Sequence, residues 1–202
     1  MKTLARALSL LLHPLLIPTL VTLLLLYGPT FYALWPPSIK IYLLWIVALF
    51  TMVVPALFVL FLRTSGRLPD LWLSERRERM LPLFIGMIFA LLCILVVRKL
   101  PDAVLLRRLL VATAACEAFC LVVTVRWKIS LHLTSMGGVT ALLMVMAMAE
   151  LGRLIIPLYA AVALSGLLAA ARLYLGSHNG LQIFVGYVAG FVITLLALLA
   201  RF

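Results

Sequence analysis

Arg172-Leu-Tyr-Leu-Gly-Ser-His178-Asn-Gly-Leu-Gln182 is the stretch that decides how this chain is read. It places an arginine, a histidine and a glutamine between two strongly apolar segments, residues 153–172 and 181–201. Each flank matches the ~20 residues that a helix needs to cross a bilayer. A guanidinium and an imidazole are costly to keep at such a boundary, which makes them functional suspects.

The rest of the chain has the same character. Its 202 residues are 66% hydrophobic, and the mean hydropathy is +1.26. Soluble domains carry roughly 45–50% apolar residues, so lipid is the solvent that this composition fits. Apolar windows give seven candidate spans, at about residues 7–28, 40–62, 81–98, 104–125, 129–149, 153–172 and 181–201. Breakers mark the joints: Tyr27-Gly28-Pro29, Pro36-Pro37, Pro101-Asp102, Glu150-Leu151-Gly152 and Asn179-Gly180. The longest polar joint runs from Arg63 to Arg79. The N-terminus, with Lys2 and Arg6 before a long apolar run, resembles a signal peptide. That run is too long and lacks a small-residue cleavage site, so it reads as the first membrane helix. No repeat or soluble insertion interrupts the pattern. The expectation is a single integral membrane domain over residues 1–202, an all-α polytopic transmembrane helical bundle of six to seven spans.

The formal charge is +11, from 17 Lys and Arg against 6 Asp and Glu. These cations sit at segment ends, where they can snorkel to lipid phosphates or bind an anionic ligand. No basic arm with interleaved aromatics exists, so nucleic acid is not an expected partner. Cys93, Cys116 and Cys120 all lie in apolar segments and read as core packing rather than metal ligands or a disulfide. No metal or other cofactor is expected.

Parity makes a geometric statement. With seven spans, the joints after spans two, four and six share one membrane face. Those joints hold Arg76 and Arg79, Lys128 and His132, and Arg172 and His178, so the cationic and histidine clusters of interest converge on one side. Once the cations assigned to a ligand are set aside, Lys and Arg are nearly balanced between the faces. The positive-inside rule therefore does not decide orientation.

Each cluster has a chemical reading and a bland one. Arg172 offers a guanidinium fork for two phosphoryl oxygens. His178 is an imidazole that could attack phosphorus, and Gln182 could receive its other N–H and fix the tautomer. If the last span begins near Asn179, His178 caps it. The bland reading is an interfacial Arg and His at a helix end. In Arg126-Trp-Lys128-Ile-Ser130-Leu-His132, Lys128 and His132 share a helical face, and Ser130 joins them only if the segment starts irregularly. His132 is placed to protonate a leaving oxygen, and Gly137-Gly138 allows close helix approach. Ser74-Glu-Arg76-Arg-Glu-Arg79-Met-Leu-Pro82 reads as a cap leading into a helix with Pro82 near its first turn. Arg76 and Arg79 can face one ligand or form a solvated ion-pair face. Glu117 is the only carboxylate deep in an apolar run and needs a partner or stays neutral. His13-Pro14, with Pro18 one turn on, kinks span one and frees carbonyls; His13 either bonds one of them or faces the substrate path.

Together these elements resemble the type 2 phosphatidic acid phosphatase family of membrane lipid phosphatases, in a divergent bacterial branch. That family carries K-x6-R-P, P-S-G-H and S-R-x5-H-x3-D blocks. Arg172 and His178 reproduce the third with its spacings, with Gln182 in the Asp place and Ala171 in the Ser place. Ser130-Leu-His132 keeps the Ser and His of the second without its Pro and Gly. Arg79-Met-Leu-Pro82 echoes the first, with Trp72 where the Lys would stand. The resemblance covers about residues 74–190. It implies His178 as nucleophile forming a phosphohistidine, and His132 as the acid. It implies Arg172, Ser130 and Arg79 as phosphoryl ligands, with Arg76 or Lys128 replacing the missing Lys, and no metal.

The expected function is a metal-independent integral membrane hydrolase of a lipid phosphate or diphosphate. Candidate substrates are an isoprenoid carrier diphosphate, a phosphatidylglycerol-type phosphate and a lipopolysaccharide phosphate. The alternative is a lipid-phosphate binding or transport protein that keeps the pocket without turnover. The resemblance points to a bacterial inner (plasma) membrane with the site on its outer face.

Overall fold

The computed structural model of the chain describes residues 1–67, 75–100, 102–149 and 153–200, and among these it is all helix and connection, without strands. Ser74, Trp72, Pro101, the Glu150–Gly152 joint and Arg201 lie outside the described residues. The α-helices are α1 (Lys2–Leu11), α2 (Ile17–Tyr27), α3 (Pro37–Ala48), α4 (Val54–Thr64), α5 (Met80–Val97), α6 (Val104–Thr124), α7 (Leu131–Ala149), α8 (Ile155–Tyr174) and α9 (Gly180–Leu199). One widened turn, Leu49–Val53, joins α3 to α4. It absorbs the missing N–H and ring bulk of Pro55 without breaking the run.

Among the described residues, five runs are long and apolar enough to cross a membrane: Pro37–Thr64, Arg77–Val97, Leu131–Ala149, Ile155–Tyr174 and Gly180–Leu199. The protein is therefore a helical bundle with the character of an integral membrane protein. Leu57, Phe84, Ile156, Phe184 and Leu196 point outward, as lipid-facing side chains do.

The N-terminal segment departs from the expected continuous span over 7–28. It is two short helices separated at Leu12–Leu16, and α2 is too short to cross a bilayer alone. Pro14 and Pro18 each lack an N–H, and the His13 N–H bonds Leu10 O at 3.2 Å rather than the Ser9 carbonyl four residues back. The break thus frees the Ser9 carbonyl.

The tightest helix pair is α7 with α9, whose backbones touch. A Cβ placed on Gly190 would collide with the Thr134 carbonyl, and one on Gly137 with the Tyr187 carbonyl. Close approach through small residues is how membrane helices gain packing in the absence of a hydrophobic drive between them. At its far end α8 stops on Gly176, whose φ of 63° suits glycine. Ser177 N–H donates to Arg172 O at 3.1 Å across this turn, and the chain then reverses into α9. Gly190→Leu is expected to force α7 and α9 apart at a cost of at least the ~1–3 kcal/mol of an overpacked core. A thermal melt of the variant in detergent should show the lower midpoint; an unchanged midpoint would refute the contact.

Candidate functional site

The site forms where α5, α7 and α9 begin and α8 ends. Asn179 caps α9: its side chain accepts from Gln182 N–H at 2.9 Å, and Gln182 Oε1 accepts from Asn179 N–H at 3.2 Å. This reciprocal pair is a capping box, so Asn179, and not His178, is the cap. The same Oε1 lies 3.1 Å from His178 Nδ1. A backbone N–H can only donate, so the amide atom facing it is oxygen, and His178 Nδ1 must be the donor. The ring is held as the Nδ1–H tautomer, with the lone pair on Nε2.

Residues Lys128–Ser130 lie outside any helix, with Ile129 N–H turned back to Trp127 O at 3.1 Å, and α7 starts at Leu131. Lys128 and His132 therefore do not share a helical face. The irregular start that Ser130 required is present, and Ser130 N–H donates to Gln182 O at 3.4 Å, tying α7 to the first turn of α9. His132 Nε2 donates to the Ser9 carbonyl at 3.0 Å, filling the acceptor freed by the break between α1 and α2. His13 stands beside it, ring centroids 5.3 Å apart and nearly perpendicular. Leu15 N–H donates to His13 Nδ1 at 3.3 Å, so His13 both supports the break and borders the site.

Arg79, His132, Arg172 and His178 line a cavity of about 220 Å³, together with Ser9 and His13. Arg79 is 5% exposed, Arg172 7% and His178 6%, which puts two guanidinium groups and an imidazole out of water together. Arg79 donates to Ile129 O at 3.4 Å. Arg172 Nε and Ser130 Oγ are buried with no hydrogen-bond partner in the protein. Buried orphan donors are rare. Arg172 lines the cavity with the two histidines, where an oxyanion would satisfy its Nε–H, whereas Ser130 is not among the residues that line it.

Arg76 lies apart. It is exposed, donates to Val125 O at 3.0 Å and does not line the cavity. Lys128, half-buried, does not line the cavity, yet the charges of Arg79 and Arg172 reach it: burial first, and then those charges, lower its pKa against the pull of Glu75 and Glu78. Burial, followed by the guanidinium groups of Arg79 and Arg172, lowers the His178 pKa to about 4. Sequence reasoning missed the Ser9 carbonyl, because a backbone acceptor leaves no mark in the residue type. Among the described residues, no group of three His, Cys, Asp or Glu side chains is placed to hold a metal ion.

Comparison of the chain with protein-family models, with curated proteins and with solved structures gives no match. The reading of the site therefore rests on its geometry.

Because the folded His178 resists protonation, its contribution to stability is fully present above the free imidazole value of 6.5. It is lost as pH falls through about 4. Nitrogen-15 NMR of labelled histidines should show a ring that stays neutral until near pH 4. Gln182→Glu should raise that pKa by offering a carboxylate to Nδ1–H; a ring titrating at 6.5 in both proteins would refute the arrangement.

Proposed function

We propose that this chain is an integral membrane phosphatase that hydrolyses a lipid phosphate or diphosphate through a phosphohistidine on His178. One observation carries the reading. Arg79, Arg172, His132 and His178 gather in a cavity whose walls also include Ile17, Val21, Val59, Leu83 and Leu109. A phosphoryl group attached to a hydrocarbon body is the ligand that suits both sets of residues. In this reading α6, which carries Arg107, Arg108 and Glu117, crosses the membrane as a sixth span, and α1 with α2 forms a broken seventh. The site faces the outside of a bacterial inner membrane.

The chemistry follows from the residues present. Arg79 and Arg172 take up phosphoryl oxygens, with the charge of Lys128 nearby drawing the anion in and Ser130 Oγ, two residues before His132, as the further donor that the family resemblance implies. Such groups act by positioning and charge stabilisation, since phosphoryl transfer asks little covalent chemistry of the protein. The lone pair of His178 Nε2 attacks phosphorus while Gln182 Oε1 holds the Nδ1–H and spreads the positive charge that develops. The bond from phosphorus to the leaving oxygen breaks, and His132 gives that oxygen its proton. Ser9 holds the Nε2–H of His132, so Nδ1 carries the mobile proton. The dianion bound beside it supplies the negative charge that an imidazolium needs. Water then attacks the phosphohistidine, returns a proton to His132 and frees inorganic phosphate.

A second reading, a lipid-phosphate binding or transport protein without turnover, draws on one observation. The residue that orients His178 is a neutral Gln182, which stabilises an imidazolium less than a carboxylate does.

Phosphate release from lipid vesicles by the purified protein, with chelator present, separates the two. Hydrolysis is expected, with His178→Ala losing at least ~10³-fold and Arg172→Ala losing roughly 10²–10³-fold. The acid limb of kcat/KM should fall near pH 4, where free His178 protonates. Equal release by wild type and His178→Ala would overturn the catalytic assignment. Binding that Arg172→Ala weakens, without release over long incubation, would establish the second reading.

A further inference from the structure

The cavity does not end at the phosphoryl groups. It continues between α2, α4, α5 and α6 to Glu117, whose carboxyl borders it beside Gly86, Thr113 and Thr194. Glu117 Oε2 is buried without a hydrogen-bond partner, and no cation among the described residues pairs with it. A carboxylic acid is far cheaper to hold there than a carboxylate, and as the acid it owns one O–H donor that wants an acceptor. The carboxyl has room because α5 presents no side chain at that level: a Cβ on Gly86 would lie 3.0 Å from Oε1 and 3.2 Å from Oε2. Gly86 lies seven residues beyond Arg79, which leads directly into α5, and this puts the carboxyl roughly 10 Å deeper than the backbone of Arg79.

We propose that Glu117 is a second recognition point in this cavity, donating a hydrogen bond to an acceptor that the lipid carries between its phosphate and its hydrocarbon tail. The inference rests on the lipid-phosphate reading of the same site and narrows it. An ester or amide carbonyl at the root of an acyl chain supplies such an acceptor at that depth, within reach of the Arg79 and Glu117 side chains. An isoprenoid chain carries none and would bury the Glu117 donor against hydrocarbon. Sites built around a buried polar group reject ligands that leave it unpaired much more strongly than apolar pockets reject an extra atom. Glu117 thus selects acyl-linked over isoprenoid lipid phosphates and takes no part in bond breaking.

The test is equilibrium binding by calorimetry of the full chain in detergent to three probes: inorganic phosphate, a diacylglycerol phosphonate and an isoprenyl phosphonate. The phosphonates remove turnover from the measurement. Glu117→Leu should weaken the diacylglycerol probe about 10-fold, leave inorganic phosphate within about twofold and strengthen the isoprenyl probe, whose chain no longer covers an unpaired donor. Glu117→Gln, which keeps an N–H donor, should retain most of the wild-type affinity for the diacylglycerol probe. Unchanged diacylglycerol binding in Glu117→Leu, or equal weakening of all three probes, overturns the inference. If inorganic phosphate still binds in an Arg172-dependent manner, the lipid-phosphate reading survives that failure. Wild type that binds none of the three overturns both.

Discussion

The backbones of α7 and α9 touch, and the geometry of the site follows from that contact. Gly137 and Gly190 let each helix rest against a carbonyl of the other. The first turns of both helices are thereby fixed side by side, and Ser130 N–H reaches Gln182 O between them. His132 belongs to one helix, and His178 stands at the mouth of the other. The two-histidine chemistry proposed here needs mutual placement far better than a flexible joint provides. In a bilayer, where apolar burial gives no drive for association between helices, small residues supply that placement.

Backbone bonds left open by the fold are closed by the groups the site needs. The first turn of α9 needs acceptors for its N–H groups, and Asn179 with Gln182 provides them. The oxygen of Gln182 that closes the cap also fixes the tautomer of His178. The break between α1 and α2 leaves the Ser9 carbonyl without its helical donor, and His132 takes it. Each ring is therefore oriented by a bond that secondary structure already required.

Much of this was legible in the sequence, for reasons particular to each residue. The spacing of Arg172, His178 and Gln182 survives as geometry because a helix end, a five-residue turn and a helix start leave little freedom between them. The convergence of Arg79, His132 and Arg172 followed from parity, which needs only the order of spans. Lys128 and His132 were misplaced because the helical spacing argument assumes a helix, and the helix begins only at Leu131. Arg76 matched Arg79 in type and spacing, yet its partner is the Val125 carbonyl. His13-Pro14 announced a disturbance in the first apolar run. That it ends one helix and starts another depended on where the His13 N–H finds its acceptor, which residue types do not encode.

The central claim is that His178 presents Nε2 to a phosphorus held by Arg79 and Arg172. A structure of the protein bound to vanadate, which takes the five-coordinate shape of phosphoryl transfer, tests it directly. The account predicts vanadium bonded to His178 Nε2, with Arg79, Arg172 and Ser130 Oγ on its oxygens and His132 opposite the ring. Vanadate bound away from His178, or a His178 ring turned so that Nδ1 faces the anion, would contradict it.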